Sequence, residues 1–418
     1  GGGWGPRLWG LCGGGCCVWG GGAGGGGGAG APQGADVRIL LLTLLFLSCL
    51  AVEKLVHRRR LRPIALRIAI TGTRGKSSVT RMLASVLRES GRRVLAKTTG
   101  SQPCWILPDG TECEIPRRAP PSILEQKRLV AKARALGADT LVAEMMSVHA
   151  ECHRVESAHL LAPAIVAVTN VRRDHLEAMG ETEEAAAAVF RLAVPPAARL
   201  FVPADIARHF TGLQPTETVA AGACAPLLAL DPGLRAREFT GDLDLVYAAA
   251  RHLGIPDGVI LEGIRKTRHD LGRMRIWRWP CGGGTCYLVN AFAANDPDST
   301  WRALARAGEL APDAAGTVGI LNLRADRPDR SRQWLEELEN GALAHFDALF
   351  VAGAHAGPIC RHLRGVHALP GRWPPERIMA AVADRLQDRF MVFGFGNMAG
   401  AGRALVTYWA GKGEAYVL

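Results

Sequence analysis

Leu66-Arg67-Ile68-Ala69-Ile70-Thr71-Gly72-Thr73-Arg74-Gly75-Lys76-Ser77-Ser78 is the stretch on which the fold turns. Its first six residues read as an apolar strand. Behind it Val79, Met82, Leu83, Val86 and Leu87 recur at helical spacing, with Gly91 placed to end the helix. A glycine turn between a strand and a helix N-terminus is a cradle for phosphate. Backbone N–H groups approach the oxygens, the helix end adds partial positive charge, Lys76 can reach terminal phosphates, and the Ser77 hydroxyl can ligate Mg²⁺. The loop is a shorter variant of the common nucleotide-binding form, because Ile70 stands where that form wants its first glycine. The expected nucleotide contacts are Gly72, Thr73, Arg74, Gly75, Lys76, Ser77 and Ser78.

Downstream, short apolar runs alternate with helical ones. Strands are expected at residues 94–97, 140–143 and 165–168, and a helix at 122–136 behind Pro120 and Pro121, with Ser122 and Glu125 as a capping box. This is the rhythm of an α/β fold with a mainly parallel sheet. In such a sheet ligands bind outside the carboxyl ends of the strands, which singles out Thr98, Thr99, Gly100, Glu144, Thr169 and Asn170. Immediately after come Asp174, His175 and Glu177, a histidine and two carboxylates within a few residues of a strand. Residues 212–271 read as helical. A second alternation comes next, with strands at 276–280, 285–289, 319–323, 348–351 and 390–393, closing in the glycine turn Gly394-Phe395-Gly396-Asn397-Met398-Ala399-Gly400.

A chain of 418 residues exceeds one ordinary core. The expected division is a glycine-rich disordered tail at 1–34, a membrane anchor helix at 37–56, a nucleotide-binding domain at 64–274 and a Rossmann-like domain at 275–418. Residues 39–52 carry no charge and are succeeded by Arg58, Arg59, Arg60 and Arg62, which favours an anchor over a secretory signal and retains the downstream domains on the cytoplasmic face. Eleven cysteines without C-x-x-C pairs suit a reducing compartment. The net charge of +11 raises nucleic acid as a partner, but the basic residues are scattered and no nucleic-acid module is present, so the excess is read as attraction to anionic lipid and anionic substrates.

Taken together, the Gly72-Thr73-Arg74-Gly75-Lys76 loop, Glu144 after its strand, and Asn170 four residues before Asp174-His175-Leu176 resemble the Mur ligase family, which includes folylpolyglutamate synthases. The likeness covers most of the chain after residue 64. Arg117-Arg118, Asn295-Asp296-Pro297-Asp298-Ser299-Thr300, Arg324-Ala325-Asp326-Arg327 and the 394–400 turn look closest to the poly-γ-glutamate synthase branch of capsule systems. The resemblance implies a P-loop-containing Mur ligase-type central domain and an ATP- and Mg²⁺-dependent amide ligase. A substrate carboxylate takes the γ-phosphoryl group, and the amino group of glutamate then displaces phosphate to extend poly-γ-glutamate. It further implies Lys76 at the phosphates, Ser77 and Glu144 on the ATP-bound Mg²⁺, Thr98 supporting metal or phosphate, Asn170 on nucleotide, and His175 on a second Mg²⁺ with Asp174 orienting it. Arg268 and Arg273 are candidates to reach ATP from the domain junction. Membrane lipid and other membrane subunits are the expected partners.

One departure concerns the second metal, which many Mur ligases hold through a carbamoylated lysine. No lysine lies between Lys132 and Lys266, so that ion needs other ligands or more water. The rival readings are a soluble folylpolyglutamate synthase-like ligase and a nucleotide-gated, non-ligase subunit of a polymer exporter.

Overall fold

The computed structural model describes residues 33–100, 103–117, 120–268, 272–281, 284–370, 373–386 and 388–417. Residues 1–32 of the tail, Arg118, His269 and the turn glycines 282 and 283 lie outside the described residues. The chain divides at Lys54/Leu55 into two units. The described residues before that point form an apolar helix, part of Gln33–Leu61 and exposed from Val37 onward, and Val37–Leu61 is long and apolar enough to cross a membrane, with a mean hydropathy of 2.3.

The second unit contains two sheets. The first is built from β1 (Leu66–Thr71), β2 (Val94–Thr98), β3 (Cys104–Ile106), β4 (Glu112–Glu114), β5 (Thr140–Glu144), β6 (Ile165–Val168), β7 (Arg199–Pro203) and β8 (Thr216–Val219), in the order β4-β3-β2-β5-β1-β6-β7-β8. Pairing is parallel from β2 through β8 and antiparallel at β3 and β4. Its strands are near-continuous apolar runs because helices cover both faces. Helices Lys76–Glu89, Thr240–His252 and Asp257–Arg265 close one core, and Glu125–Ala135 and Glu183–Arg191 the other. Helix Glu183–Arg191 starts where the Thr182 side chain accepts the Ala185 N–H, a cap worth about 1 kcal/mol.

The second sheet contains β9 (Arg275–Cys281), β10 (Gly284–Ala291), β11 (Gly316–Leu323), β12 (Ala348–Gly353), β13 (Val366–Leu369), β14 (Phe390–Phe395) and β15 (Glu414–Val417), ordered β13-β12-β11-β14-β10-β9-β15. Five of these strands run parallel, and β9 and β15 pair antiparallel at one edge. Helix Pro297–Leu310 begins on Asp296, whose carboxylate accepts the Ser299 N–H, with Pro297 needing no N–H of its own.

Three local readings change. The capping box at Ser122 does not form, since Glu125 is drawn instead to Lys97 at 3.0 Å and Arg117 at 2.8 Å, and the helix starts at Glu125. Within residues 212–271 the chain also contributes β8 to the sheet. Cys286 is disulfide-bonded, against the expectation of reduced thiols throughout.

The register positions the site. β1 lies between β5 and β6, with Ile70 opposite Glu144 and Thr71 opposite Val168. The loop at Gly72 therefore emerges flanked by Glu144 on one side and Thr169-Asn170 on the other.

Candidate active site

Two glycines make the loop possible. Gly72 has φ +118°, and a Cβ there would fall 2.3 Å from Thr169 Oγ1. Gly75, at φ +79°, caps helix Lys76–Glu89, and a Cβ would fall 2.5 Å from Asp242 Oδ1. Any other residue would be both strained and crowded. Asp242 itself has its carboxyl pushed up to about 8 by burial and by nearby Glu238, with Arg172 opposing, so at neutral pH it adds little negative charge beside the loop.

The loop is braced from behind by Asn170, whose Oδ1 accepts Arg74 N–H at 3.0 Å and whose Nδ2 donates to Arg74 O at 2.9 Å. Both ends of its amide are thereby engaged with the loop backbone, and Asn170 is absent from the cleft lining among the described residues. Thr73 N–H bonds Asn170 O at 3.1 Å, and the Thr73 hydroxyl exchanges hydrogen bonds with the backbone of Arg172. The Lys76 ammonium folds over the loop, donating to Gly72 O at 2.7 Å and Thr73 O at 3.0 Å. Burial lowers its pKa, and Glu144 opposes that shift. Ser77 Oγ donates to Glu144 Oε2 at 2.7 Å, and the same oxygen accepts Thr99 N–H at 2.7 Å. Ser78 is half-buried in the first helical turn.

Lys76, Glu144, Thr99, Asp174 and His175 line one cleft of about 300 Å³, to which Met145, Met146, Met179 and Phe190 add apolar surface. Across it stands the second sheet. Arg74 reaches Asp296 at 2.8 Å and Asp174 at 3.2 Å and also bonds Asn295, while Arg172 bonds Ser299 at 2.8 Å. Arg330 pairs directly with Asp174, and Arg327 stands 3.7 Å from it. Burial alone would raise the Asp174 carboxyl, but Arg74 and Arg330 outweigh it and hold the group well below the usual carboxylate range.

His175 is the strained residue of the site, at φ +48° with a non-glycine side chain. Its Nε2 lies 3.8 Å from Asp174, and burial lowers its pKa, with Asp174 opposing and Arg327, Arg330 and Lys76 reinforcing. These surroundings do not suit a second metal ion. Its neighbour Asp174 is already taken by arginines, and among the described residues no group of three or more His, Cys, Asp or Glu is placed to hold a metal ion. The first metal position fits better. A serine hydroxyl in the first turn of the helix and a carboxylate at the end of β5 are hard oxygen donors, and Mg²⁺ characteristically takes one or two protein ligands plus water and phosphate.

Three further expectations are corrected. Thr98 is buried with its hydroxyl 3.2 Å from Cys104 Sγ, because the last residue of β2 points away from the loop. Arg273 is committed to Glu238 at 3.1 Å and to Arg237 O. Arg268 sits near Arg88 and is likewise absent from the cleft lining among the described residues. Sequence reasoning missed Arg327 and Arg330 as the partners of Asp174 and missed His153, which lines the cleft from a short helix. Only the arginine-rich 324–330 segment carried a signal.

At the carboxyl ends of β10, β11 and β14 lies a smaller recess lined by Asn322, Arg324, Arg327, Arg330, Trp334 and Asn397. Two buried donors there, Arg330 Nε and Trp334 Nε1, have no hydrogen-bond partner among the described residues.

Residues 70–219 match the Mur ligase middle domain, and residues 279–412 match the poly-gamma-glutamate synthase CapB C-terminal domain. The chain is 28% identical over 373 residues to the capsule biosynthesis protein CapB of Bacillus anthracis, covering 85% of this chain and 78% of that one. It is 29% identical over 384 residues to PGA synthase CapB of Bacillus subtilis strain 168, covering 87% and 96%. Among solved structures, a bifunctional folylpolyglutamate synthase/dihydrofolate synthase with Mn, AMPPNP and L-glutamate bound superposes with a TM-score of 0.58 at 15% identity, over 86% of this chain and 92% of that one. The chain thus carries a Mur ligase middle domain followed by a CapB-type C-terminal domain, and over most of its length it is similar to poly-γ-glutamate synthase.

Proposed function

We propose that the chain is an ATP-dependent amide ligase of poly-γ-glutamate synthesis, joining an activated carboxylate to the amino group of glutamate with release of ADP and phosphate. The observation that carries this reading is the convergence of the phosphate loop with Lys76, Ser77 and Glu144 at a cleft that Asp174 and Asn295 also line, with Arg327 and Arg330 beside Asp174. The two CapB relatives and the matching C-terminal domain support the polymer; the folylpolyglutamate synthase structure, with its nucleotide analogue, Mn and L-glutamate, supports ATP, a divalent cation and glutamate.

The chemistry asks little covalent work of the protein. A substrate carboxylate oxygen attacks the γ-phosphorus and ADP leaves; the amine then attacks the acyl carbon, phosphate leaves and the nitrogen gives up its proton. Both steps concentrate negative charge, so positioned cations are the main requirement. The loop amides from Gly72 to Ser77 would hold the phosphates, and the Lys76 ammonium would turn from its carbonyl partners to the terminal phosphoryl group. Ser77 and Glu144 would hold Mg²⁺, which supplies charge neutralisation at the phosphate oxygens. The recess with the unpartnered Arg330 Nε and Trp334 Nε1 would take a carboxylate of the incoming glutamate. The apolar wall of Met145, Met146 and Phe190 keeps water from the activated acyl group.

The helix Val37–Leu61 would anchor the protein in a membrane, with the arginines at 58–62 keeping the ligase on the cytoplasmic side and drawing it to anionic lipid. The experiment for the enzymatic reading is ADP release from ATP and Mg²⁺ with glutamate and a γ-glutamyl oligomer, alongside mass analysis of the oligomer. Lengthening by one glutamate per ADP is expected; ADP without any amide product overturns the reading.

A further inference from the structure

His153 lies outside every motif that identified the site, yet it is joined to the phosphate loop by a chain of hydrogen bonds in which each proton can be placed. Its Nδ1 is 3.1 Å from Ser147 O, which can only accept, so Nδ1 carries the hydrogen. The same N–H also faces Ser147 Oγ at 3.1 Å, and that hydroxyl gives its own proton to Glu156. Nε2 is then bare, and it accepts the Thr71 hydroxyl proton at 3.0 Å. Burial fixes this neutral form, lowering the imidazole to about 4 against the pull of Glu156.

The far end of the chain is rigid. Glu156 is fully buried at the start of a π-helical turn, Glu156–Leu161, and its carboxylate also accepts the N–H of Met146 at 3.1 Å, of Ser147 at 3.0 Å and the Gln126 amide at 2.6 Å. Inserted π turns of this kind commonly accompany functional sites. The near end is the hinge of the loop. Thr71 is the last residue of β1, and the next carbonyl, Gly72 O, is the one that holds the Lys76 ammonium. His153 ring contact with Phe190, centroids 5.7 Å apart, ties the same residue to the apolar wall of the cleft.

We infer that His153 is a positioning residue for the ligase reaction, holding Thr71 and hence the strand-to-loop junction in the geometry that places Lys76 at the terminal phosphoryl group. It acts through Thr71 and touches no reacting atom. This rests on the ligase reading for its kinetic consequence, but not for its effect on nucleotide binding. The distinction sets the experiment.

Thr71→Val, His153→Phe, His153→Gln and the double variant Thr71→Val/His153→Phe are compared for binding of AMPPNP with Mg²⁺ by calorimetry and for kcat and KM, with thermal melts as a check of folding. Each of the first two is expected to weaken nucleotide binding about tenfold, and the double variant to be no weaker than the worse single one, because the Thr71–His153 hydrogen bond is absent from all three. His153→Gln, whose carbonyl can accept the Thr71 proton, is expected within about threefold of wild type. In the ligase assay the loss falls on kcat with the KM for glutamate unchanged. ¹⁵N spectra should show His153 protonated at Nδ1 alone. Additive losses, wild-type binding by the near-isosteric Thr71→Val, or the opposite tautomer would each overturn the assignment. Absence of amide product from the wild type would count against the ligase reading only, since the binding cycle still judges His153.

Discussion

The chain contains two strand–glycine turn–helix units, one at Gly72–Ser78 and one at Gly394–Gly402, and they differ in where their polar groups point. In the first, carbonyls Gly72 O and Thr73 O are occupied by the Lys76 ammonium, and the helix end faces the cleft. In the second, Asn322 Nδ2 donates to Asn397 O at 2.6 Å and Ala399 O at 2.8 Å, so a neighbouring strand end staples the turn shut. Gly402 is pressed against Asn397 O, where a Cβ would come within 2.4 Å. Both turns need glycine for backbone reasons, at Gly75 and at Gly396 with φ +98°. Glycine therefore reports close approach of the chain, and the adjoining lysine, serine and carboxylate are what turn one of the two into a site for triphosphate.

The strongest way to break the contrast is Lys76→Ala, which leaves the first turn a mere glycine bend. Amide formation is expected to fall by about 10²–10³ or more, the scale for losing one preorganised charge at a transition state, with an unchanged melting temperature. Retained ligation would remove the phosphate loop from the mechanism.

Next in size is the joint between the two sheets. Asp174→Asn leaves Arg330 without its buried countercharge, while Arg74 keeps Asp296, and breaking such a pair typically costs about 3–5 kcal/mol, to be read from urea denaturation. The same pair sets an acid limit. Because the folded carboxyl is depressed, its contribution is complete above the unfolded value of about 4 and is lost as pH falls toward the folded value. Wild type should lose stability below about pH 4 more steeply than Asp174→Asn; parallel curves would mean the three arginines do not hold the carboxylate.

The smallest effect sharpens the comparison from the other side. Asn322→Ala removes the staple of the second turn and is expected to cost about 1–3 kcal/mol of stability while leaving the affinity for AMPPNP unchanged. A loss of nucleotide affinity would give the second turn a role this reading denies it.

What could be read from residues was local. The strand into Gly72, the amphipathic helix behind Lys76 and the alternation that makes two α/β sheets all come from periodicity over a few turns, and the structure contains them. Ser77 and Glu144 were legible because parallel register sets the end of β5 beside the loop that leaves β1 and opens the helix carrying Ser77, and the two side chains meet at 2.7 Å. The misses share a cause. Thr98 and Asn170 occupy the right strand ends, but one side chain points to Cys104 and the other clamps Arg74, choices made by rotamer and neighbour rather than by position. Arg273 is claimed by Glu238, a partner far along the chain.

Residue order by itself thus determined which segments become strands, which turn can approach a phosphate, and the family to which those motifs point. Only the tertiary structure decided that Arg327 and Arg330, remote from the loop in sequence, close on Asp174, and that His153 holds the loop's hinge through Thr71. Periodicity and turn chemistry act over a few residues, whereas charge pairing and hydrogen bonding are settled by which surfaces packing brings together, and that is a property of the whole fold.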